Sequence, residues 1–383
     1  MVSKRVGVIL NGVTGRMGTN QHLERSIVAI IKQGGVSLSS GDFVVPDPIL
    51  IGRNRGKLEA LAAKYGIERI GTDLDAALLN PDDHVYFDAA TTPMRPENLR
   101  KAIRAGKHIY CEKPSAETLA EAVEIYTLAE KQGVKHGVVQ DKLFLPGLLK
   151  VKRLVDQGFF GRVLSVRINF GYWVFTGQDV AAQRPSWNYQ KALGGGIIKD
   201  MMCHWQYILK RLFGEIRSVS CLGAVHIPER QDERGEIYAA DADDAFYATV
   251  EMKSGAIAQI TADWCTRVHR RDLVTFQVDG TQGSAVAGLS DCWLQPHSST
   301  PRPTWNPDQV LLHDFYADWQ KMPDIDHFDN GFKVQWEMFL RYIAEDGLFP
   351  YDLRAGAEAV QLAELAYQSW QERRFIDIPS FEV

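Results

Sequence analysis

The chain has 383 residues, of which 45% are hydrophobic and 24% charged, and its formal net charge is -5. This composition is typical of a globular protein with about two domains. A small acidic balance argues against a nucleic-acid partner, which would need a basic face, and no apolar run reaches the ~20 residues of a membrane span. The five cysteines form no C-x-x-C pair, so we expect reduced thiols in a cytoplasmic protein.

The first part of the chain alternates short buried strands with helices. This pattern predicts a doubly wound parallel sheet, the Rossmann type of α/β fold. The predicted strands cover residues 6–10, 48–51, 85–90, 108–111 and 135–139, and the predicted helices cover 21–33, 56–65, 96–105 and 116–132.

From about residue 161 the predicted strands become longer and are joined by short turns, which indicates mainly antiparallel pairing. They cover residues 163–170, 215–224, 245–252, 256–263, 273–279 and 283–288, with helices at 200–213, 333–345 and 355–372 and an irregular segment at 295–307. We therefore predict a Rossmann domain at 1–142. An α+β domain with a large, mainly antiparallel open sheet follows at 143–383, its C-terminal helix able to pack back on the first domain.

A glycine run lies between the first predicted strand and the first predicted helix. Glycines let the backbone turn sharply and approach a pyrophosphate, and the following helix N-terminus attracts the anion. The run has one residue more in its turn than the common G-x-G-x-x-G. It predicts dinucleotide contacts from Gly12, Thr14, Gly15, Arg16 and Met17. The alternative is a glycine-rich turn without a ligand.

The second predicted strand ends at Arg53-Asn54-Arg55, where such domains read the adenosine ribose. An acidic residue there would bind the hydroxyls of NAD, whereas an arginine suits the 2′-phosphate of NADP. Arg53 and Arg55 therefore favour NADP, although NAD stays open because both could be solvated and Asn54 could serve either ribose. We attribute the long spacing from the glycines to an insertion over residues 33–47.

Three segments of the chain match a family pattern, and they occur in the order that the family has. They are the glycine run, the stretch from Ala105-Gly106-Lys107-His108 to Glu112-Lys113-Pro114, and Gly194-Gly195-Gly196 followed by Asp200 and His204. Together they resemble the glucose–fructose oxidoreductase / inositol dehydrogenase / MocA (Gfo/Idh/MocA) family. The resemblance implies a second domain whose open sheet carries the substrate and takes part in a homodimer or homotetramer. It also implies an NAD(P)-dependent dehydrogenase or reductase of a sugar, glycoside or cyclitol, moving hydride at a secondary hydroxyl or keto carbon.

The resemblance assigns the substrate chemistry to Lys113, Asp200 and His204. Imidazole titrates near neutral pH, so His204 is the predicted acid/base group, and Asp200 shares its helix face four residues earlier. Lys113 ends a parallel strand, where its ammonium can stabilise alkoxide character. Each of the three could instead be structural. The Asp200/His204 pair could also offer two metal ligands, but no third is evident and no metal is predicted.

Two segments depart from the family pattern, which has T-P-N-x-x-H and R-F-x-P. They read Thr92-Pro93-Met94-Arg95-Pro96-Glu97 and Lys142-Leu143-Phe144-Leu145-Pro146, with Lys142 a loose substitute for arginine. Further cofactor contacts are predicted at Thr91, Thr92, Pro93 and Glu112, and substrate contacts at Lys142, Tyr172, Trp187 and Asn188. Aromatic rings can stack on a pyranose, although core or subunit packing would explain them as well. Trp264 and His269 are further candidates without an assigned role.

Two alternative functions remain open on the sequence. One is a non-catalytic sensor or regulator that binds a dinucleotide, since a Rossmann fold does not prove catalysis. The other is an enzyme of the same fold that acts on a dihydrodiol or an imine.

Overall fold

The computed structural model describes residues 3–303, 306–325, 328–347 and 349–380. In its first part strands alternate with helices. The strands are β1 Ser3–Asn11, β2 Val36–Ser37, β3 Phe43–Ile51, β4 Arg69–Gly71, β5 Asp83–Asp88, β6 His108–Cys111 and β7 His136–Val138. The helices are a π-helix, Gly18–Val28, continued by α1 Ala29–Lys32, then α2 Arg55–Tyr65, α3 Leu74–Leu78, α4 Arg95–Arg104 and α5 Leu119–Gln132.

Longer elements make up the rest of the chain. The strands are β8 Val163–Gly171, β9 Ile216–Ala224, β10 Glu229–Gln231, β11 Ile237–Ala239, β12 Ala245–Met252, β13 Ile257–Asp263, β14 Val274–Gly280, β15 Gly283–Ala287, β16 Cys292–Pro296, β17 Gln320–Lys321 and β18 Ile376–Asp377. The helices are α6 Pro146–Asp156, α7 Ile197–Phe213, α8 Gly331–Glu345 and α9 Leu353–Glu372. Residues 304 and 305 of the predicted irregular segment lie outside the described residues; its start, up to Pro296, belongs to β16.

The first of two compact units comprises residues 3–141 and Asp329–Glu364. Its sheet has the order β2-β3-β1-β5-β6-β7, with β4 also paired to β3. The pairings are parallel except for the β2–β3 hairpin. Because β3 and β5 flank β1 on opposite sides, the strand order reverses at β1, which is where open α/β sheets bind ligands. The predicted parallel sheet is confirmed.

The first unit differs from the prediction in two places. The predicted insertion contains the β2–β3 hairpin, so β3 begins at Phe43, ahead of the predicted strand at 48–51. Helix α8 buries Phe332, Trp336, Phe339 and Leu340 in the same core as the sheet of this unit. That burial places residues 329–364 in the first unit. The predicted boundary assigned them to the second domain, with the C-terminal helix able to pack back on the first.

The second unit comprises Lys142–Phe328 and Leu365–Ser380. Its nine-stranded sheet has the order β17-β16-β15-β14-β8-β13-β12-β9-β18. All of these neighbours are antiparallel except β8 and β13, so the predicted large, mainly antiparallel sheet is confirmed. Helix α7 packs on this sheet through β9, β12 and β13. Helix α6 was not predicted, although Pro146 at its first turn and buried Leu148, Val151 and Leu154 account for it.

None of the helices in the described part of the chain is long and apolar enough to cross a membrane.

Candidate active site

The glycine loop lies at the carboxyl end of β1, where the ends of three strands meet. Gly12 has φ +79°, and a Cβ on it would lie 2.5–2.6 Å from backbone atoms of Ala89 and Ala90, just after β5. Its N–H donates to the carbonyl of Ile51 at the end of β3 at 3.3 Å. A side chain at residue 12 would therefore push these strand ends apart.

The helix that follows the loop fits a dinucleotide phosphate. A Cβ on Gly18 would lie 2.4 Å from the carbonyl oxygen of Gly12, so the chain needs glycine at the first residue of the helix. Gly15 is exposed, and a Cβ there would meet one atom within 4 Å, the Gly12 oxygen at 3.4 Å. The side chain of the N-cap residue Met17 makes no capping bond and the first turn has no acidic residue, so the positive end of the helix suits an anion. These features fit the cofactor that the glycine run predicts.

The residues after β3 occupy the place where the adenosine ribose is predicted. Arg53 is exposed. Arg55 forms a surface ion pair on α2, with 2.9 Å between its Nε and Glu59 Oε1. Asn54 caps α2, its side chain accepting from the Lys57 N–H at 3.0 Å. Arg53 is therefore the better placed of the two arginines for a 2′-phosphate.

The strand ends β5 and β6 carry the remaining predicted residues of the first unit. Thr91 and Pro93 are exposed and Thr92 is half-buried, in a short turn ahead of α4. Lys113 is half-buried directly after β6. Glu112 is only 6% exposed, and it accepts from buried His22 at 2.8 Å. Its carboxylate is thus engaged inside the protein, which assigns Glu112 a supporting position beside Lys113.

In the second unit, helix α7 begins directly after the three glycines and carries Asp200 and His204. Buried Asp243 caps this helix, because its backbone and side-chain oxygens accept from the N–H groups of Ile197 at 2.9 Å and Ile198 at 2.7 Å. Gly196 has φ +122°, and a Cβ there would lie 2.6 Å from Asp243 Oδ1. The glycine therefore preserves the cap that fixes where α7 starts.

Asp200 belongs to a polar cluster organised by Arg184. One Arg184 nitrogen donates to Asp200 Oδ2 at 2.9 Å and to Asn188 Oδ1 at 3.2 Å. The guanidinium lies 4.2 Å above the ring of buried Trp264. Burial disfavours the charged form, but Asp200 and the side chain of Tyr172 together more than offset it, so the pKa of Arg184 lies above its ordinary value. The side chains of Arg184 and Asp200 are 23% and 29% exposed, so this cluster reaches the protein surface.

His204 is 2% exposed and its Nδ1 lies 2.7 Å from the hydroxyl of Tyr207, one helical turn later. The same hydroxyl accepts from the backbone N–H of Lys142 at 3.2 Å. The phenolic oxygen has a second lone pair and can also accept from His204 Nδ1–H, which leaves Nε2 without a proton. The backbone N–H of Lys142 is thus linked to His204 through the hydroxyl of Tyr207.

The other candidate residues of the second unit differ in their solvent exposure. Trp187 is 49% exposed, Tyr172 is half-buried, and His269 is exposed. Asn188 is 5% exposed and its carbonyl accepts from the Gly196 N–H at 2.9 Å, which ties it to the start of α7. Among the described residues, no group of three His, Cys, Asp or Glu side chains is arranged to hold a metal ion.

Sequence reasoning missed Arg184, Tyr207 and His22. Tyr207 follows His204 by three residues, and helical neighbours at that spacing meet, so a signal existed. Arg184 lies in an irregular segment, and His22 is 90 residues from its partner Glu112, so neither contact has a local pattern.

Both parts of the chain match known protein families. Residues 49–140 match the oxidoreductase family with an NAD-binding Rossmann fold, and residues 148–286 match the GFO/IDH/MocA C-terminal domain. A D-xylose dehydrogenase of Paenarthrobacter nicotinovorans is 51% identical over 98% of this chain and 97% of its own length. A levoglucosan dehydrogenase of Pseudarthrobacter phenanthrenivorans is 29% identical over 59% of this chain and 60% of its own. The solved structure of a levoglucosan dehydrogenase in complex with NADH and levoglucosan has a TM-score of 0.81 at 22% identity, covering 98% of this chain and 100% of that one.

Proposed function

Because this chain belongs to the Gfo/Idh/MocA family of NAD-binding oxidoreductases, we propose that it oxidises D-xylose or a closely similar sugar. The observation that carries the proposal is the 51% identity to a D-xylose dehydrogenase over 98% of this chain. Lys113, Asp200 and His204 are retained at the positions that the family resemblance assigns to substrate chemistry.

The nicotinamide, when bound, accepts the hydride of the alcohol carbon. His204 takes the hydroxyl proton. We assign this step to Nε2, because Nδ1 is engaged by Tyr207. Lys113 donates to the reacting oxygen and stabilises its developing negative charge. The glycine loop and the N-terminus of the π-helix hold the cofactor phosphates.

Arg184, Asn188 and Asp200 recognise the sugar hydroxyls. Sugars present both donors and acceptors, and this cluster offers guanidinium N–H groups together with an amide and a carboxylate that each lie within 3.2 Å of the guanidinium. Trp187 is 49% exposed and supplies an apolar surface for the ring.

The change in absorbance at 340 nm tests the proposal. The purified protein is given NAD or NADP with D-xylose, other aldoses, levoglucosan, an inositol or a dihydrodiol, whose oxidation forms NADH or NADPH, and it is given NADH or NADPH with an imine, whose reduction consumes them. We expect the highest kcat/KM for D-xylose or a near relative, and a loss of about 1000-fold in His204→Ala. Turnover of the dihydrodiol or the imine alone would overturn the sugar assignment. NADH binding without turnover of any compound would favour a sensor.

We further propose that NADP is accepted and preferred over NAD. Residues 52–57 contain Arg53, Arg55 and Lys57 and no acidic residue, so no carboxylate repels a 2′-phosphate. Equal or lower kcat/KM with NADP than with NAD would contradict this preference.

We also propose a homo-oligomer that works in the cytoplasm. Leu222 and Tyr247 are directly paired across β9 and β12, and both are 43% exposed on the large sheet. Sedimentation equilibrium should give two or four copies, and a monomer at micromolar concentration would overturn the proposal. All five cysteines are free, which supports a reducing compartment.

A further inference from the structure

A buried polar network lies under the strand end that carries Lys113. His22, on the π-helix after the glycine loop, is 0% exposed and packs against Phe87 and Phe332 at ring distances of 4.2 and 5.1 Å. Its Nε2 lies 2.8 Å from Glu112 Oε1. The indole N–H of Trp336 lies 3.0 Å from the other nitrogen, Nδ1. A fully buried imidazole with two polar partners has defined roles for both nitrogens.

Trp336 fixes the tautomer of His22. An indole N–H can only donate, so Nδ1 must accept and cannot carry a proton. The imidazole proton then resides on Nε2 and points at Glu112. The bond is thus a donation from a neutral ring N–H to a carboxylate, with its direction set by the tryptophan.

Glu112 transmits this fixed geometry to Lys113. Its second oxygen, Oε2, accepts from the backbone N–H of Lys113 at 3.1 Å. Burial alone would raise the pKa of Glu112, but the hydrogen bond from His22 and nearby positive charge hold that pKa below its ordinary value. The carboxylate therefore stays ionised, and each of its oxygens accepts a hydrogen bond, one from His22 and one from the Lys113 N–H.

The following residue is held from another direction. Arg95, 3% exposed, donates to the carbonyl oxygen of Pro114 and to that of Ala90 at 2.7 Å, and pairs with fully buried Asp88 at 3.1 Å. Glu112 thus fixes the N–H of Lys113, and Arg95 fixes the carbonyl one residue later. The main chain that bears the lysine is held on both sides by buried charged groups.

We propose that His22 and Glu112 are positioning residues for Lys113, with Trp336 selecting the tautomer that lets His22 donate. This inference rests on the proposed role of Lys113 at the reacting oxygen. The network also joins the helix that begins at the glycine loop to the strand end that carries the lysine.

Two matched substitutions at residue 22 separate positioning from packing. His22→Gln places an amide N–H where Nε2 was and keeps the donation to Glu112, while the acceptor for Trp336 is lost. His22→Asn places a carbonyl where Nδ1 was and keeps the acceptor, while the donation is lost. Both remove similar aromatic contacts, so both lower the thermal midpoint.

The measurements are kcat, KM for the sugar, and the Kd of NADH by fluorescence, together with the thermal midpoint. We expect His22→Asn to lose about 100-fold in kcat, and His22→Gln to stay within about fivefold of the native enzyme. The Kd of NADH should change by less than about threefold in both. Equal losses of kcat in the two variants, or no loss in His22→Asn, would overturn the positioning role.

Glu112→Gln provides a second test if the variants at residue 22 do not fold. An amide presents an NH₂ group either to His22 or to the Lys113 N–H, both of which are donors, so one bond must break. We expect a fall of about 10- to 100-fold in kcat with an unchanged Kd of NADH. An unchanged kcat would overturn the proposal.

Lys113→Ala distinguishes failure of this inference from failure of the proposed function. Loss of turnover in Lys113→Ala with native kcat in His22→Asn and Glu112→Gln would show that the lysine acts without the positioning pair. Native turnover in Lys113→Ala would overturn the role of the lysine and the positioning pair together.

Discussion

Replacing Arg184 with methionine removes the cation that organises the Asp200 cluster. The guanidinium donates to Asp200 at 2.9 Å and to Asn188 at 3.2 Å, also bonds the side chain of Tyr172, and lies 4.2 Å over Trp264. Methionine fills a similar volume over the ring but supplies no donor. Asp200, whose side chain is 29% exposed, then loses its bond to the guanidinium.

The expected loss follows from these contacts. The bonds to Asp200 and Asn188 exist before the sugar binds, so the loss is set by the hydrogen bond that the charged guanidinium is proposed to give to a sugar hydroxyl. Such a bond contributes about 1.5–3 kcal/mol, and the 23% exposure of Arg184 favours the lower end. A loss of about 1.5–2 kcal/mol corresponds to roughly a 10- to 30-fold lower kcat/KM for the sugar. Arg184→Lys should fall between, because lysine keeps the charge and loses the planar stack.

Initial rates at 340 nm over a range of D-xylose concentrations measure this loss. The matched control is Arg267→Met, because Arg267 also stacks on a tryptophan, at 4.3 Å over Trp173, but is exposed. The control should retain native kcat/KM, and both variants should retain the native Kd of NADH. A kcat/KM for Arg184→Met within threefold of the native value would refute the role given to this cluster.

Three further changes have defined outcomes. Arg53→Ala should raise KM for NADP roughly tenfold and leave KM for NAD unchanged, since only NADP carries the 2′-phosphate; parallel changes would contradict the assignment. Tyr207→Phe should lower kcat about three- to tenfold without altering KM, because His204 loses its 2.7 Å partner, and an unchanged kcat would count against that contact. Burial, reinforced by Lys135, lowers the pKa of His108 from 6.5 to about 4, so the folded state resists protonation and loses stability as pH falls through that window. Relative to His108→Asn, the native protein should lose about 2 kcal/mol of unfolding free energy between pH 6.5 and 4; a constant difference in urea titrations would rule this out.

The sequence predicted those parts of the fold that have a local pattern. The strand at 108–111 was predicted with its observed bounds, because four consecutive residues between turn signals mark a strand buried in a parallel sheet. Strand β2 has only two residues, too few to form a recognisable pattern. Its hairpin with β3 was therefore predicted only as an insertion. Helix α8 was predicted as a helix. The unit to which it belongs is set by the hydrophobic core in which Trp336 and Phe339 are buried, and a local sequence pattern does not show which core that is.

The same limit applies to the active site. Lys113, Asp200 and His204 stand in segments with recognisable spacing, so the sequence named them. Arg184 lies 16 residues before Asp200 in a segment without regular structure, and only the folded loop brings the two together. Recognisable spacing identified the groups proposed to do the chemistry, whereas the groups that hold them depend on long-range contacts.

In each of the two units, a buried carboxylate accepts a hydrogen bond from a backbone N–H group and supports the proposed site. Glu112 holds the N–H of Lys113, and Asp243 holds the N–H of Ile198 at the start of α7. Their pKa values nevertheless move in opposite directions. For Asp243, burial outweighs the bonds from Tyr367 and the backbone, so its pKa is raised; for Glu112, burial is outweighed by His22 and nearby positive charge, so its pKa is lowered. A raised pKa gives a stability contribution that is lost as pH rises through it, and a lowered one gives a contribution that is lost only as pH falls through it. The fold therefore favours the ionised form of Glu112 and disfavours that of Asp243, and an ionised carboxylate is what a group that fixes a reactive lysine requires.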